Sequence, residues 1–274
     1  MQKLALGSLI LLAFTAHAQA QSFTTSPCQG NEGNTNNSWF FGHQERVCEL
    51  RRVTLPLVNG RVQVSGTNGG IEVEGEDRSD IALEARVITQ ASSREEAEAV
   101  GRKIKIVTGE TIEAQGPTMS SWIHGGWSVN YKLHVPRHLA ARLHTMNGGI
   151  GVRNVNGQID AETTNGGLTL DNLAGDVHAQ TVNGGMEITL AGDRWQGSGF
   201  SASSTNGGIL VKAPDNYSAH LIADTVNGGI SVDLPTTGQH ATRNHLDTTL
   251  GQGGATIHFE TVNGGLTIKH STGA

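Results

Sequence analysis

Aliphatic and polar residues alternate in short bursts along most of this 274-residue chain, and the bursts run into the same three residues, Asn-Gly-Gly. The seven copies begin at Asn68, Asn147, Asn165, Asn183, Asn206, Asn227 and Asn263, and the last six follow one another at intervals of 18, 18, 23, 21 and 36 residues. Aligned on the Asn, the sixth and fourth residues before it are apolar in every copy: Val62 and Val64, Ala141 and Leu143, Ile159 and Ala161, Val177 and Ala179, Phe200 and Ala202, Leu221 and Ala223, Ile257 and Phe259. The residues between them are polar, Ile222 excepted. A period of two marks a strand with one buried face. The third and fifth residues after each Asn, from Ile71 and Val73 to Leu266 and Ile268, are aliphatic again, so a second short strand leaves the corner. A period near 20 residues predicts stacked repeats. The fold class expected is all-β, a single-domain β-solenoid of 18–23-residue coils.

Glycine suits such a corner because it takes positive φ without steric cost and lets neighbouring backbones approach closely. Continuing the alternation inward buries Thr145, Thr163, Thr181, Ser204, Thr225 and Thr261, and then the Asn itself. With coils about 4.8 Å apart, equivalent Asn amides reach one another, and a structural ladder accounts for them better than a row of ligands for a bound molecule. A β-sandwich of hairpins is the competing fold, since Asn-Gly is also a hairpin signal. It would need alternate corners to differ, whereas every copy here carries the same motif and flanks.

The period breaks between the first and second copies, and 76–140 reads as an inserted cap. Ser93-Arg94-Glu95-Glu96 resembles a capping box, so a helix is expected over 93–103. Strands are expected at Asp80–Thr89, Lys103–Val107, Thr111–Ala114 and Ser128–Val135. A helix and hairpins placed there would cover an otherwise adhesive sheet end. Lys3, the apolar run from Leu4 to Phe14 and Ala18-Gln19-Ala20 read as a secretory signal peptide over 1–20. An Asn-, Ser- and Gly-rich extension (21–52) and the solenoid (53–270) would follow. Cys28 and Cys48 are the only cysteines, and in an oxidising compartment they are expected to pair.

The formal charge is −6, and removing Lys3 with the signal segment leaves 18 basic against 25 acidic residues, or −7. Without basic clusters, nucleic acid is not an expected partner. No later segment is long and apolar enough to span a membrane. Leu234-Pro235-Thr236-Thr237-Gly238 matches a sortase signal but lacks the apolar tail and basic residues that follow a real one, so an ordinary turn is expected. Gly148-Gly149-Ile150-Gly151 has Arg153 where a calcium-binding repeat needs Asp. His134, His138 and His144 share no face, and two cysteines 20 residues apart are a weak zinc signal, so no metal or other cofactor is expected. Glycan-cleaving β-helices need matched carboxylates on adjacent coils. The outward Asp160, Glu162, Glu187 and Asp224 are scattered, so no enzyme is expected. An ice-binding face would need outward threonine rows, and the main threonine column points inward.

What remains is surface. The residue before each Asn faces outward: Met146, Thr164, Val182, Thr205, Val226 and Val262 form a β-branched stripe. Trp122, Trp127, Trp195 and Tyr217 fall in insertions or variable corners, where exposed aromatics would contact a protein or glycan partner or else close the core. The export signal, the cysteine pair, the Thr-x-Asn-Gly-Gly-Ile repeat and Gly251-Gln252-Gly253-Gly254-Ala255-Thr256-Ile257 resemble the candidate-adhesin family of exported bacterial β-strand-repeat proteins, from Val53 to Lys269. The resemblance implies a β-solenoid of unknown function, named for adhesion from its shape, with no catalytic residues to carry over. The expected function is an exported cell-envelope interaction surface, adhesin-like, in the periplasm or at the cell surface. A periplasmic scaffold or envelope-stress partner is the alternative, with a glycan-acting enzyme third and edge-to-edge self-association open.

Overall fold

The structure is a computed structural model describing residues 22–28, 44–118 and 125–271. The expected signal segment and Trp122 lie outside the described residues. Seven coils each run through a long strand, the Asn-Gly-Gly corner and a short strand. Coil 1 is Arg61–Asn68 with Ile71–Glu76, coil 2 Ala140–Asn147 with Ile150–Arg153, coil 3 Asn156–Asn165 with Leu168–Asp171, and coil 4 Ala174–Asn183 with Met186–Thr189. Coil 5 is Gly199–Asn206 with Ile209–Ala213, coil 6 Ala219–Asn227 with Ile230–Asp233, and coil 7 Thr256–Asn263 with Leu266–His270. The long strands stack in parallel in one 11-stranded sheet and the short strands in another, forming a β-solenoid.

Register keeps equivalent positions together, as in Leu143, Ala161 and Ala179. The apolar columns therefore merge into one core between the sheets, where Leu143, Ile150, Ile159, Leu168, Ile188, Ile209, Leu221 and Phe259 are all at most 1% exposed. Coil order departs from chain order. Coil 7 lies between coils 5 and 6 in both sheets. The 36-residue interval before its Asn holds the short strand of coil 6 and an antiparallel pair, Thr236–Ala241 and His245–Leu250, which extends the long-strand sheet beyond coil 6. The Leu234–Gly238 segment thus leads into a strand rather than forming only a turn.

At the other end the short-strand sheet continues through Gly126–Pro136, Asp80–Ala91, Glu45–Pro56 and Thr24–Pro27. The helix spans Arg94–Lys103, with Ser93 capping the Glu96 amide. Arg51 donates to the carbonyls of Gly101 and Ile104 at its C-terminus, where a cation complements the helix dipole. Lys105–Thr108 and Ile112–Gln115 form a hairpin on the coil 1 edge of the long-strand sheet. A disulfide joins Cys28 to Cys48 and ties the first strand to the second.

The corner glycines serve close approach more than positive φ. Among the first glycines of the seven motifs only Gly69 is left-handed (φ 122°). A Cβ on Gly148, Gly166, Gly184, Gly207, Gly264 or Gly228 would lie 1.9–2.2 Å from a carbonyl oxygen of the adjacent coil's glycine. The buried hydroxyl column explains how these carbonyls are satisfied. Thr145, Thr163, Thr181, Ser204, Thr261 and Thr225 each donate to such a carbonyl at 2.7–3.0 Å. Thr181→Val keeps the shape and removes the donor, so it is expected to cost about 1–3 kcal/mol. Urea unfolding should show a lower midpoint at unchanged slope.

Candidate functional site

The alternation ends at the buried hydroxyl, and the next two residues both face solvent. All seven Asn side chains are exposed rather than buried, a departure from the inward continuation of the strand pattern. They still join in one chain of hydrogen bonds. Asn147 donates to Asn68 at 3.0 Å, Asn165 to Asn147, Asn183 to Asn165 and Asn206 to Asn183 at 2.9 Å, Asn263 to Asn206 at 2.8 Å and Asn227 to Asn263 at 2.9 Å. Asn165, Asn183, Asn206 and Asn263 each use one N–H and one lone pair on their neighbours, which leaves one of each for solvent or a partner, while Asn147 also donates to the Thr67 carbonyl at 3.3 Å.

Beside the ladder runs the second column, in the spatial order Thr67, Met146, Thr164, Val182, Thr205, Val262 and Val226. Met146, Val182 and Val226 are 48%, 37% and 62% exposed, and they are three of the four large hydrophobic side chains exposed among the described residues. Thr164, Thr205 and Val262 are half-buried. With the two glycines, every coil contributes four uncharged residues to a ribbon about 29 Å long at roughly 4.8 Å per coil. Carboxylates stand on both borders: Glu162, Asp224 and Glu260 on one side, and Glu72 and Glu187 on the other, where Leu210 is the apolar exception.

The aromatic residues expected at this surface are elsewhere. Trp195 is 6% and Tyr217 2% exposed. The Trp195 indole stacks 5.2 Å from Phe200 and donates to the Gly175 carbonyl at 3.1 Å. Burial pushes the Tyr217 hydroxyl pKa up. Both therefore close the core where coil 4 passes to coil 5 and coil 5 to coil 6, and neither is a contact residue. Trp127, half-buried, donates to the Pro117 carbonyl in the cap region.

The outward carboxylates sit beside cationic or imidazole groups. Asp160 lies 3.4 Å from Arg142, Glu162 3.8 Å from His144 and Glu187 2.5 Å from Lys212. His134 meets Glu76 on the short-strand sheet, His144 lies on the long-strand sheet, and exposed His138 forms an isolated bridge with Asn156. Among the described residues no group of three His, Cys, Asp or Glu is arranged to hold a metal ion. Sequence reading missed one cluster: Asp224 accepts from His245 at 2.7 Å and His258 at 3.0 Å, and His220 meets Asp247 at 2.8 Å. The antiparallel strand beyond coil 6 brings His245 and Asp247, and the non-sequential placement of coil 7 brings His258; spacing along the chain gives no hint of it.

Partial burial pushes the Asp224 carboxyl up, but hydrogen bonds from His245 and His258 outweigh it and hold its pKa below the ordinary value. A depressed carboxylate contributes stability above its unfolded pKa and loses it as pH falls through the folded one. The stability gap between the natural protein and Asp224→Asn should therefore be full near pH 6 and shrink below about pH 4. Urea midpoints measured across that range check it.

A groove of about 770 Å³ on the outer face of the short-strand sheet is floored by Gly70, Gly149 and Gly151 and walled by Glu72, Glu84, Lys132 and Arg153. Its mixed signs favour neither an anion nor a cation. No helix among the described residues is long and apolar enough to cross a membrane.

No curated protein matches the chain. A candidate cell adhesion protein from Clostridium sporogenes is 13% identical, with 82% of this chain and 100% of that one covered and a TM-score of 0.42. A candidate adhesin from Bacteroides fragilis is 13% identical over 81% and 97%, at 0.36. A candidate lipid binding protein from Parabacteroides distasonis is 11% identical over 88% and 96%, at 0.28. The Toastrack DUF4097 family model matches residues 34–269, and the chain belongs to that family.

Proposed function

We propose that this chain is an exported, non-enzymatic β-solenoid of the cell envelope that presents the corner ribbon as an adhesin-like contact surface. One observation carries the reading. In a chain of formal charge −6, seven adjacent coils contribute an unbroken uncharged row that also holds most of the exposed large hydrophobic side chains. A continuous uncharged row that groups exposed apolar side chains is the kind of surface that marks a recognition site, whereas apolar residues exposed singly are ordinary. The disulfide supports an oxidising compartment and hence export. The partner is a protein or a glycan, and the reading invokes no cofactor.

Protease treatment of intact cells, with a periplasmic marker as control, tests the placement. Digestion of this protein while the marker survives supports adhesion. Protection until the outer membrane is ruptured would replace it with a periplasmic scaffold or stress-partner role.

A further inference from the structure

We infer that the ribbon's partner is the ribbon of a second copy of this chain, so that the contact is homotypic. The inference rests on the adhesin-like reading above and names the partner for that surface.

Three features converge. The first is pitch. Any rigid partner must match a row repeating at about 4.8 Å over seven coils, and a second copy matches it at every coil because both pitches are set by the same strand spacing. The second is hydrogen bonding. Asn165, Asn183, Asn206 and Asn263 each keep one N–H and one lone pair beyond those used in the ladder, so the row is donor and acceptor at once and complements itself. An Asn row meeting an Asn row beside a β-branched row meeting its own copy is the kind of like-on-like contact that closes dry interfaces between paired sheets. The third is charge. Two acidic copies repel each other through most of their surface, and the ribbon lets them approach without facing like charges.

Two-fold symmetry fixes the geometry. Pairing two ribbons in opposite directions places coil 4, the middle of the spatial order 1-2-3-4-5-7-6, on the axis, so Val182 meets its own counterpart. The patch is about 29 Å by 10 Å, roughly 300 Å² per partner, against about 800 Å² in a stable complex. One pair is therefore weak in solution. Many copies displayed on one surface hold by multivalency.

The test uses beads coated with the purified full chain, with Val182→Lys and Val182→Glu as variants and circular dichroism confirming that each is folded. Natural-protein beads should clump. Beads carrying either variant alone should clump about tenfold less, a change of about 1.4 kcal/mol, and a mixture of Lys and Glu beads should clump again. Mixing restores binding only if position 182 faces its own counterpart, so failure of the mixture overturns the inference. Natural-protein beads that stay dispersed also overturn it. If those dispersed beads bind chitin or cellulose particles, the adhesin-like reading survives with a glycan partner. If they bind neither and the protein is protease-protected on cells, both readings fall.

Discussion

Gly184→Ala should lower the melting temperature by about 8–16 °C, while Gly229→Ala, the same substitution where the added methyl points into open space, should leave it within about a degree. The reason is distance. A Cβ on Gly184 would sit 2.0 Å from the Gly166 carbonyl oxygen, 2.5 Å from its carbon and 3.0 Å from the Gly167 nitrogen. All three are backbone atoms held by the strands on either side, so relief requires the coils to separate. Separation strains the Asn183–Asn165 and Thr181–Gly166 hydrogen bonds, which span the same gap. Overpacking usually costs about 1–3 kcal/mol, and a clash with backbone on this scale is placed above that range, at about 4 kcal/mol; a domain of this size shifts about 2–4 °C per kcal/mol. At Gly229 a Cβ meets nothing within 4 Å. The second glycine of coil 4 is intermediate, with Gly208 O at 3.2 Å from a Cβ on Gly185. Thermal unfolding followed by circular dichroism ranks all three, and an equal response at Gly184 and Gly229 would refute the close-approach account.

Trp195→Ala should cost about 3–5 kcal/mol, the usual price of emptying a buried aromatic site. The indole is 6% exposed and begins a run of rings, with Phe200 at 5.2 Å and Phe259 5.6 Å beyond it in edge-on contact. Its removal leaves both a cavity and the Gly175 carbonyl without the indole donor. Chemical denaturation should therefore show a large fall in midpoint. Bead clumping measured well below the new melting temperature should match the natural protein, because Trp195 lies away from the ribbon. A variant that kept full stability but lost clumping would return this residue to the contact surface.

Much of the fold is legible from side-chain pattern alone. The period of two places Ile159, Ala161 and Thr163 inside, and the repeat of Asn-Gly-Gly places the corners over one another, because both depend on local chemistry copied from coil to coil. The helix start at Ser93 is equally local. Three things are not local and escaped. Strict alternation would turn the Asn residues inward, but the chain leaves the strand at the corner, so two consecutive residues point outward. Trp195 and Tyr217 sit between repeats, where no periodicity fixes a direction, and only the neighbouring coils decide that they are covered. The Asp224, His245 and His258 cluster depends on strands from distant segments lying side by side. The ribbon was half legible: its membership and lack of charge follow from the repeat, while the order of its side chains depends on how the coils are stacked.

That order has a consequence for how the chain acquires its shape. In an ordinary repeat array each unit docks on the one made just before it, so the structure grows as a zipper. Here coil 6 is made before coil 7 but rests on it, and the amide of Asn263 reaches Asn206 across 57 residues where the rungs from Asn147 to Asn206 span 18 to 23. The place of coil 6 in the stack therefore exists only once coil 7 has been made and laid on coil 5. The late segment is the keystone of the array, and the end of the solenoid cannot close in the order in which it is made.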